Sequence, residues 1–93
     1  MNTALKNILL VDDSESIRRL VEFGLRGIYN VIGCENIESA KQKVEEHKVD
    51  LILLDIFLNE ESGFDYCEEL KQNDVYKKIP IIFITGLEKN EDI

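Results

Sequence analysis

The stretch NILLVDDS, residues 7–14, decides the fold predicted for this chain. A short apolar run ends abruptly in two aspartates and a serine, which is typical of a buried parallel strand that stops at a polar loop. Apolar side chains then recur every three or four positions over residues 17–28, which predicts an amphipathic helix. Asp13 or Ser14 can cap the start of this helix, and Arg18 is expected to lie on its water-facing side.

The alternation of strands and helices continues along the chain. Further strands are predicted at residues 29–34, 51–54 and 81–84, and further helices from Asn36 to about Lys48 and from Phe64 to about Asn73. Phe64, Cys67 and Leu70 are expected to bury one side of the last helix, and residues 59–63 are expected to form a loop. The pattern predicts an α/β protein with a doubly wound parallel sheet, here of about four strands and three helices.

Composition limits the functions that this chain can have. Its 93 residues suit one domain spanning residues 1–93. A formal charge of −8 disfavours direct binding to nucleic acid or to an anionic membrane, because both are held by clustered basic residues. The apolar runs are far too short to cross a bilayer. Two cysteines, Cys34 and Cys67, do not make a disulfide framework, so we expect free thiols and a cytoplasmic location.

Polar side chains that can bind a cation or take part in a reaction directly follow the predicted strands. Asp12 and Asp13 follow the first strand, Asp55 follows the third and Thr85 follows the last. Because the carboxyl ends of parallel strands meet at one edge of the sheet, we expect these side chains to lie close together. Clustered carboxylates require either a proton on one of them or a bound cation, and oxygen ligands favour Mg²⁺ first and Mn²⁺ second. Asp55 can then attack a phosphoryl group; the alternative is that each acid only ends a strand or caps a helix.

Four motifs of this chain resemble the receiver domain of two-component response regulators. These motifs are ILLVDDS at residues 8–14, LILLDI at residues 51–56, SGF at residues 62–64 and KIPIIFITG at residues 78–86. The resemblance implies a flavodoxin-like fold and a signalling domain rather than a turnover enzyme. It implies that Asp55 accepts a phosphoryl group from the phosphohistidine of a sensor histidine kinase or a histidine phosphotransfer protein.

The resemblance also implies roles for the residues around Asp55. Asp12, Asp13, Asp55 and the backbone carbonyl of Phe57 would hold Mg²⁺, Asp13 directly and Asp12 through water or by positioning the site. Thr85 and Gly86 would sense the phosphoryl group. Phe57 and Leu87 occupy positions at which the family tunes dephosphorylation, and both are apolar here, so we expect slow self-dephosphorylation.

The sequence departs from the family pattern at its C-terminal end. Receivers have five strands and five helices, whereas the elements predicted here stop before the fifth strand, its lysine and the last helix. The strand Ile81–Ile84 would then be an exposed edge through which two copies can pair as a homodimer. The open explanations are a stretch of a longer receiver, completion by a partner strand, or a degenerate docking or dimerisation module that works without phosphorylation.

Two further alternatives, one an enzyme and the other a binding domain, have weaker support. A phosphatase of the haloacid-dehalogenase kind needs an Asp-x-Asp motif after a strand, whereas Asp55 is followed by Ile56 and Phe57. A nucleotide-binding domain needs a glycine-rich turn, and none follows a predicted strand.

Overall fold

The computed structural model describes residues 4–85, which form a parallel sheet with helices on both faces. The elements are β1 (Asn7–Val11), α1 (Glu15–Gly24), β2 (Asn30–Cys34), α2 (Ile37–Glu46), β3 (Leu51–Asp55), β4 (Phe57–Leu58), β5 (Glu61–Ser62), α3 (Gly63–Lys71) and β6 (Ile81–Ile84). The main sheet has the order β2-β1-β3-β6, and all neighbouring strands are parallel. The predicted doubly wound sheet of four strands and three helices is confirmed.

Different helices cover the two faces of the sheet. Leu9 and Ile52, from the central strands, belong to the main core together with buried side chains of α2 and α3. Gly33 points to the opposite face, where a Cβ atom would lie 3.0 Å from a carboxylate oxygen of Glu22 on α1. Since side chains alternate between faces along a strand, α1 covers one face while α2 and α3 cover the other.

Each helix begins at a polar side chain. Ser14, Asn36 and Ser62 each accept a hydrogen bond from the backbone N–H three residues further along the chain. These bonds satisfy backbone donors that the first helical turn leaves without partners. The sequence predicted either Asp13 or Ser14 as the N-cap of α1, and in the structure the N-cap is Ser14.

Helix α1 is shorter and less buried than predicted. It ends at Gly24 rather than near residue 28, because glycine favours the helix poorly and Gly27 turns the chain with a φ of +80°. Leu20, in the apolar stripe, is 67% exposed. Within residues 4–85 the helix packs mainly on β2, and this contact leaves its outer side open to solvent.

The segment after β3 is a small hairpin rather than a loop. β4 and β5 pair in antiparallel fashion, with Phe57 opposite Ser62 and Leu58 opposite Glu61. Leu58 is almost fully buried in the main core, which anchors the hairpin to the sheet. The hairpin therefore holds a fixed position beside the carboxyl ends of β1 and β3.

The buried side of α3 also differs from the prediction. Gly63, Tyr66 and Leu70 are buried, whereas Phe64 is exposed and Cys67 is only partly buried. Phe64 contacts Phe83 of β6 instead, with ring centroids 4.8 Å apart. The buried side of α3 is thus rotated about the helix axis relative to the prediction. Only Leu70 belongs both to the predicted and to the observed buried residues.

Predictions were also made for the two cysteines and for membrane-spanning segments. Cys34 and Cys67 are both free thiols, as predicted. Across residues 4–85, no helix has the length and apolar character needed to span a membrane.

Candidate functional site

The pairing of β1 with β3 brings three acidic side chains together. Asp12 and Asp13 follow β1, and Asp55 is the last residue of β3. One carboxylate oxygen from each lies within 4.8 Å of the others. Asp12 and Asp55 are fully buried, and Asp13 is partly buried. The three acids thus meet at the sheet edge at which the sequence placed them.

Backbone N–H groups fix the orientation of all three carboxylates. Asp12 Oδ1 accepts from the N–H of Ser14 at 2.9 Å, and Asp55 Oδ1 accepts from the N–H of Phe57 at 3.2 Å. Both bonds span two residues, which is the local geometry that aspartate favours after a strand. Asp13 Oδ2 accepts from the N–H of Asn59 at 3.0 Å, a contact across the site. Each acid is therefore held before any ligand binds.

The tip of the β4–β5 hairpin supplies the bond to Asp13. Asn59 has a φ of +47°, a left-handed conformation that asparagine tolerates better than most residues. This turn directs the Asn59 N–H towards β1. Glu61, on the next strand of the hairpin, accepts a hydrogen bond from the N–H of Ile37 at 3.1 Å. The hairpin is therefore tied both to the acidic site and to the start of α2.

The backbone of Asp12 is held from two sides. Its N–H donates to the carbonyl of Cys34 at 3.0 Å, which continues the pairing of β1 with β2. Its carbonyl accepts from a guanidinium nitrogen of Arg18 at 2.6 Å. Arg18 was predicted to face water, and this part of the prediction is wrong because its long side chain reaches back to the end of β1.

Gly63 allows α3 to begin directly against the backbone of Asp55. A Cβ atom at position 63 would collide with the carbonyl oxygen of Asp55, so no side chain fits there without a backbone shift. The Gly63 N–H also donates to the carbonyl of Ile56 at 2.8 Å. A glycine is therefore required here for the close approach of helix and strand.

Two of the remaining predicted site residues, Thr85 and Phe57, lie close to Asp55 along the sheet or along the chain. Thr85 directly follows Ile84, the β6 residue that pairs with Asp55, and its side chain is exposed. The Phe57 side chain, just past Asp55, is 67% exposed. Gly86 and Leu87 lie outside the described residues.

The donor set suits a hard divalent cation. Three carboxylates from two neighbouring strands offer only oxygen ligands, which Mg²⁺ and Mn²⁺ prefer over the nitrogen and sulfur ligands typical of Zn²⁺. Two of the three carboxylates are fully buried, and buried charges of one sign repel each other strongly unless a cation compensates them.

Sequence reasoning missed Asn59 and Arg18 as parts of this site, and it quoted Gly63 within the SGF motif without giving it a role. Arg18 and Asn59 act on the acidic residues through hydrogen bonds that join separate elements, so no local pattern marks them. Gly63 carries a weak signal, since a glycine directly before an amphipathic stretch often marks a close backbone approach.

Fold and site together define a doubly wound α/β domain with an acidic pocket at the carboxyl edge of its sheet. The sequence model of the response regulator receiver domain matches residues 8–93. The chain therefore belongs to the receiver domain family of response regulators in two-component systems, and the predicted family and fold are confirmed. This result favours the receiver interpretation over the docking-module and phosphatase alternatives.

Individual relatives support the same assignment. The chain is 39% identical over 88 residues to the alkaline phosphatase synthesis transcriptional regulatory protein PhoP of Bacillus subtilis, covering 94% of this chain and 36% of PhoP. It thus spans about a third of that relative.

Solved structures resemble the whole described fold. The N-terminal domain of a response regulator receiver protein from Methanoculleus marisnigri superposes with a TM-score of 0.81 at 29% identity, covering 95% of this chain and 76% of that one. The chemotaxis protein CheY4 of Vibrio cholerae superposes with a TM-score of 0.78 at 29% identity, covering 95% and 77%.

Proposed function

We propose that this domain accepts a phosphoryl group on Asp55 and passes the signal to a partner or output surface. One observation carries the proposal: three carboxylates from β1 and β3 meet within 4.8 Å, and Asp55 is among them. A structural role alone does not explain why two fully buried aspartates face a third acid.

The proposed chemistry is a transfer between a nitrogen and an oxygen atom. A carboxylate oxygen of Asp55 attacks the phosphorus of a phosphohistidine, a new P–O bond forms, and the P–N bond breaks with its electron pair leaving on the imidazole. The Phe57 N–H holds Asp55 Oδ1 at 3.2 Å, which restricts the rotation of the carboxylate. A carboxylate fixed in this way needs less reorganisation before attack.

The residues fit a resident Mg²⁺, with Mn²⁺ as a substitute. Asp13 and Asp55 would bind the ion directly, Asp12 would bind through water or position the site, and the backbone carbonyl of Phe57 would complete the protein ligands. When bound, the ion neutralises negative charge on the phosphoryl oxygens. Ser14 and Asn59 keep Asp12 and Asp13 oriented towards the centre of the site by their N–H groups.

Four residues are proposed to sense or to protect the phosphoryl group on Asp55. Thr85, next to the β6 residue paired with Asp55, would turn its hydroxyl to a phosphoryl oxygen, with Gly86 leaving room for the group. Phe57 carries a largely exposed aromatic side chain beside Asp55, where it would shield the acyl phosphate from water. Leu87 is proposed to act with Phe57.

The proposed phosphodonor is a sensor histidine kinase or a histidine phosphotransfer protein in the cytoplasm. A formal charge of −8 favours a partner with a basic contact surface and disfavours nucleic acid. For the 93-residue chain we also propose pairing of two copies through β6. That strand pairs only with β3 among residues 4–85, and its Ile82 is half-exposed.

The decisive experiment is intact-mass analysis after incubation with Mg²⁺ and a small phosphodonor such as acetyl phosphate. We expect one phosphoryl adduct that is labile in alkali and absent from Asp55→Asn. The matched control is Asp74→Asn, which changes an exposed aspartate paired with Lys77 and should keep the adduct. A folded wild-type protein without an adduct, or an adduct that survives in Asp55→Asn, would overturn the proposal.

A further inference from the structure

Arg18, near the start of α1, reaches back to the end of the strand that precedes the helix. Its guanidinium donates from Nη1 to the backbone carbonyl of Asp12 at 2.6 Å, although the two residues are six positions apart. The Arg18 side chain is partly buried, whereas the neighbouring Arg19 is exposed and pairs with Glu15 at 2.8 Å. Two adjacent arginines of one helix therefore have different surroundings, and Arg18 contacts the backbone of the acidic site.

The Arg18 side chain crosses β2 at a glycine. A Cβ atom added at Gly33 would lie 3.4 Å from Cδ of Arg18 and 3.0 Å from a carboxylate oxygen of Glu22. The arginine can pass here because position 33 carries no side chain. The carbonyl of the next residue, Cys34, accepts from the N–H of Asp12 at 3.0 Å. Strand β2 thus provides both the space for Arg18 and a backbone bond to the same aspartate.

The hydrogen bond from Arg18 acts on the peptide group that joins two of the three acids. The carbonyl that it contacts belongs to the peptide between Asp12 and Asp13, so the bond restricts rotation of that peptide plane. One carboxylate oxygen of each of these residues lies within 4.8 Å of a carboxylate oxygen of Asp55. In metal sites, partners beyond the direct ligands orient those ligands, and their loss weakens metal binding by about 10- to 100-fold.

The positive charge of Arg18 acts in the opposite direction. A guanidinium near a cation site repels the cation, so removal of the charge alone would strengthen Mg²⁺ binding. The hydrogen bond is a direct contact at 2.6 Å, whereas the repulsion acts through space and falls with distance. We therefore expect the orienting effect to outweigh the repulsion, and the two effects predict opposite changes in affinity.

We propose that Arg18 is a positioning residue for Mg²⁺ binding. Its hydrogen bond to the Asp12 carbonyl keeps the carboxylates of Asp12 and Asp13 directed into the acidic site, and Gly33 leaves the space that this contact needs. The inference rests on the proposed function of the site and adds a determinant outside the acidic residues. Loss of the bond should lower the affinity for Mg²⁺ in addition to any effect on the stability of the fold.

The test is titration of the folded protein with Mg²⁺ by isothermal calorimetry, with Arg18→Met as the main variant. Methionine keeps an unbranched stem but has neither an N–H donor nor a charge. We expect the dissociation constant for Mg²⁺ to rise about tenfold, because the lost repulsion offsets part of the effect of the lost bond. Arg19→Met is the matched control, since it removes the same charge from the same helix and should leave the dissociation constant unchanged.

Gly33→Val tests the same contact without changing Arg18 or the net charge. The added methyl groups occupy the space over β2 through which Arg18 passes, and valine suits a strand. The variant should therefore fold and should bind Mg²⁺ more weakly than the wild type. Urea denaturation without Mg²⁺ measures separately how much stability each variant loses.

The outcomes separate orientation from charge and from a purely structural role. An Arg18→Met protein with wild-type Mg²⁺ affinity, or with the tighter binding expected from charge removal alone, would overturn the inference whatever its free energy of unfolding. If Arg18→Met does not fold, unchanged Mg²⁺ affinity in Gly33→Val has the same meaning. A wild-type protein that binds no Mg²⁺ would overturn the proposed metal site as well, so the two failures can be told apart.

Discussion

The backbone N–H of Asn59 donates to Asp13 Oδ2 at 3.0 Å, although the two residues are 46 positions apart in the sequence. This bond joins the tip of the β4–β5 hairpin to the residue that follows β1 by two positions. Of the three backbone bonds to these carboxylates described above, this one is long-range, because the N–H groups that donate to Asp12 and Asp55 come from residues two positions away.

The conformation of Asn59 predicts which substitutions the hairpin accepts. Asn59→Gly keeps the N–H and tolerates a φ of +47°, so its free energy of unfolding should stay close to that of the wild type. Asn59→Val places a β-branched side chain in the left-handed region and should lose roughly 1–2 kcal/mol. Urea denaturation followed by circular dichroism measures both, and equal stability of the two variants would contradict the prediction.

The contact between Gly63 and Asp55 predicts a larger effect. In Gly63→Ala, the new methyl group would collide with the carbonyl oxygen of Asp55, so β3 and α3 must separate. We expect a loss of about 3 kcal/mol, at the upper end of the overpacking range, together with weaker binding of Mg²⁺. Gly24→Ala is the matched control, because nothing lies within 4 Å of its added atom and alanine favours a helix. A Gly63→Ala protein as stable as Gly24→Ala would refute the packing argument.

The three clustered carboxylates predict that Mg²⁺ stabilises the domain. At free Mg²⁺ 100 times the dissociation constant, the free energy of unfolding should rise by about 2.7 kcal/mol. Asp13→Asn removes one of three neighbouring charges, so without Mg²⁺ it should unfold at a higher temperature than the wild type, and added Mg²⁺ should have little effect. Thermal unfolding with and without Mg²⁺ tests this, with Asp74→Asn as control. A variant that still gains the full Mg²⁺ effect would count against the proposed metal site.

The exposed Phe57 ring predicts a long-lived phosphoryl group. Its apolar side chain, two residues after Asp55 and 67% exposed, cannot orient a water molecule for attack on the acyl phosphate, whereas an asparagine amide can. Phe57→Asn should therefore shorten the lifetime of the adduct, measured by intact mass after removal of the phosphodonor. Phe23→Asn changes an exposed phenylalanine on α1, away from β3 and β6, and should leave the lifetime unchanged. An equal or longer lifetime in Phe57→Asn would show that the ring does not control water.

Burial of Cys34 predicts selective thiol chemistry and sensitivity to alkali. Burial raises the pKa of the Cys34 thiol from 9.0 to about 11. Well below pH 9.0 the thiol is therefore protonated in both folded and unfolded chains. Between pH 9.0 and about 11 it ionises preferentially in the unfolded chain, so the stability of the domain falls as pH rises through this window.

Two measurements check this prediction. Iodoacetamide applied to the folded protein well below pH 9.0 should label Cys67, which is partly exposed, and spare Cys34. Cys34→Ala should lose part of the alkaline destabilisation in unfolding experiments across the same pH window. Equal labelling of both cysteines would show that Cys34 is accessible.

The sheet and the acidic cluster were predictable because their signals are local. Short apolar runs followed directly by acids mark β1 and β3, and the parallel topology then places Asp12, Asp13 and Asp55 at one edge. The sequence pattern contains this information without any knowledge of tertiary contacts.

The missed features depend on contacts between elements. The strands of the β4–β5 hairpin have two residues each, too few to show a period. On α3, both Phe64 and Tyr66 are compatible with a helical stripe through Leu70, and only packing against the sheet decides for Tyr66. Arg18 looks solvent-exposed by charge alone, because nothing local indicates that its guanidinium reaches the Asp12 carbonyl.

The acidic cluster draws its members from two strands that lie far apart along the chain and pair side by side. A peptide containing only one of those strands cannot assemble it, and neither can a collapsed chain in which the central register has slipped. Any ligand that requires all three carboxylates therefore binds only molecules in which these two strands have paired in the native register.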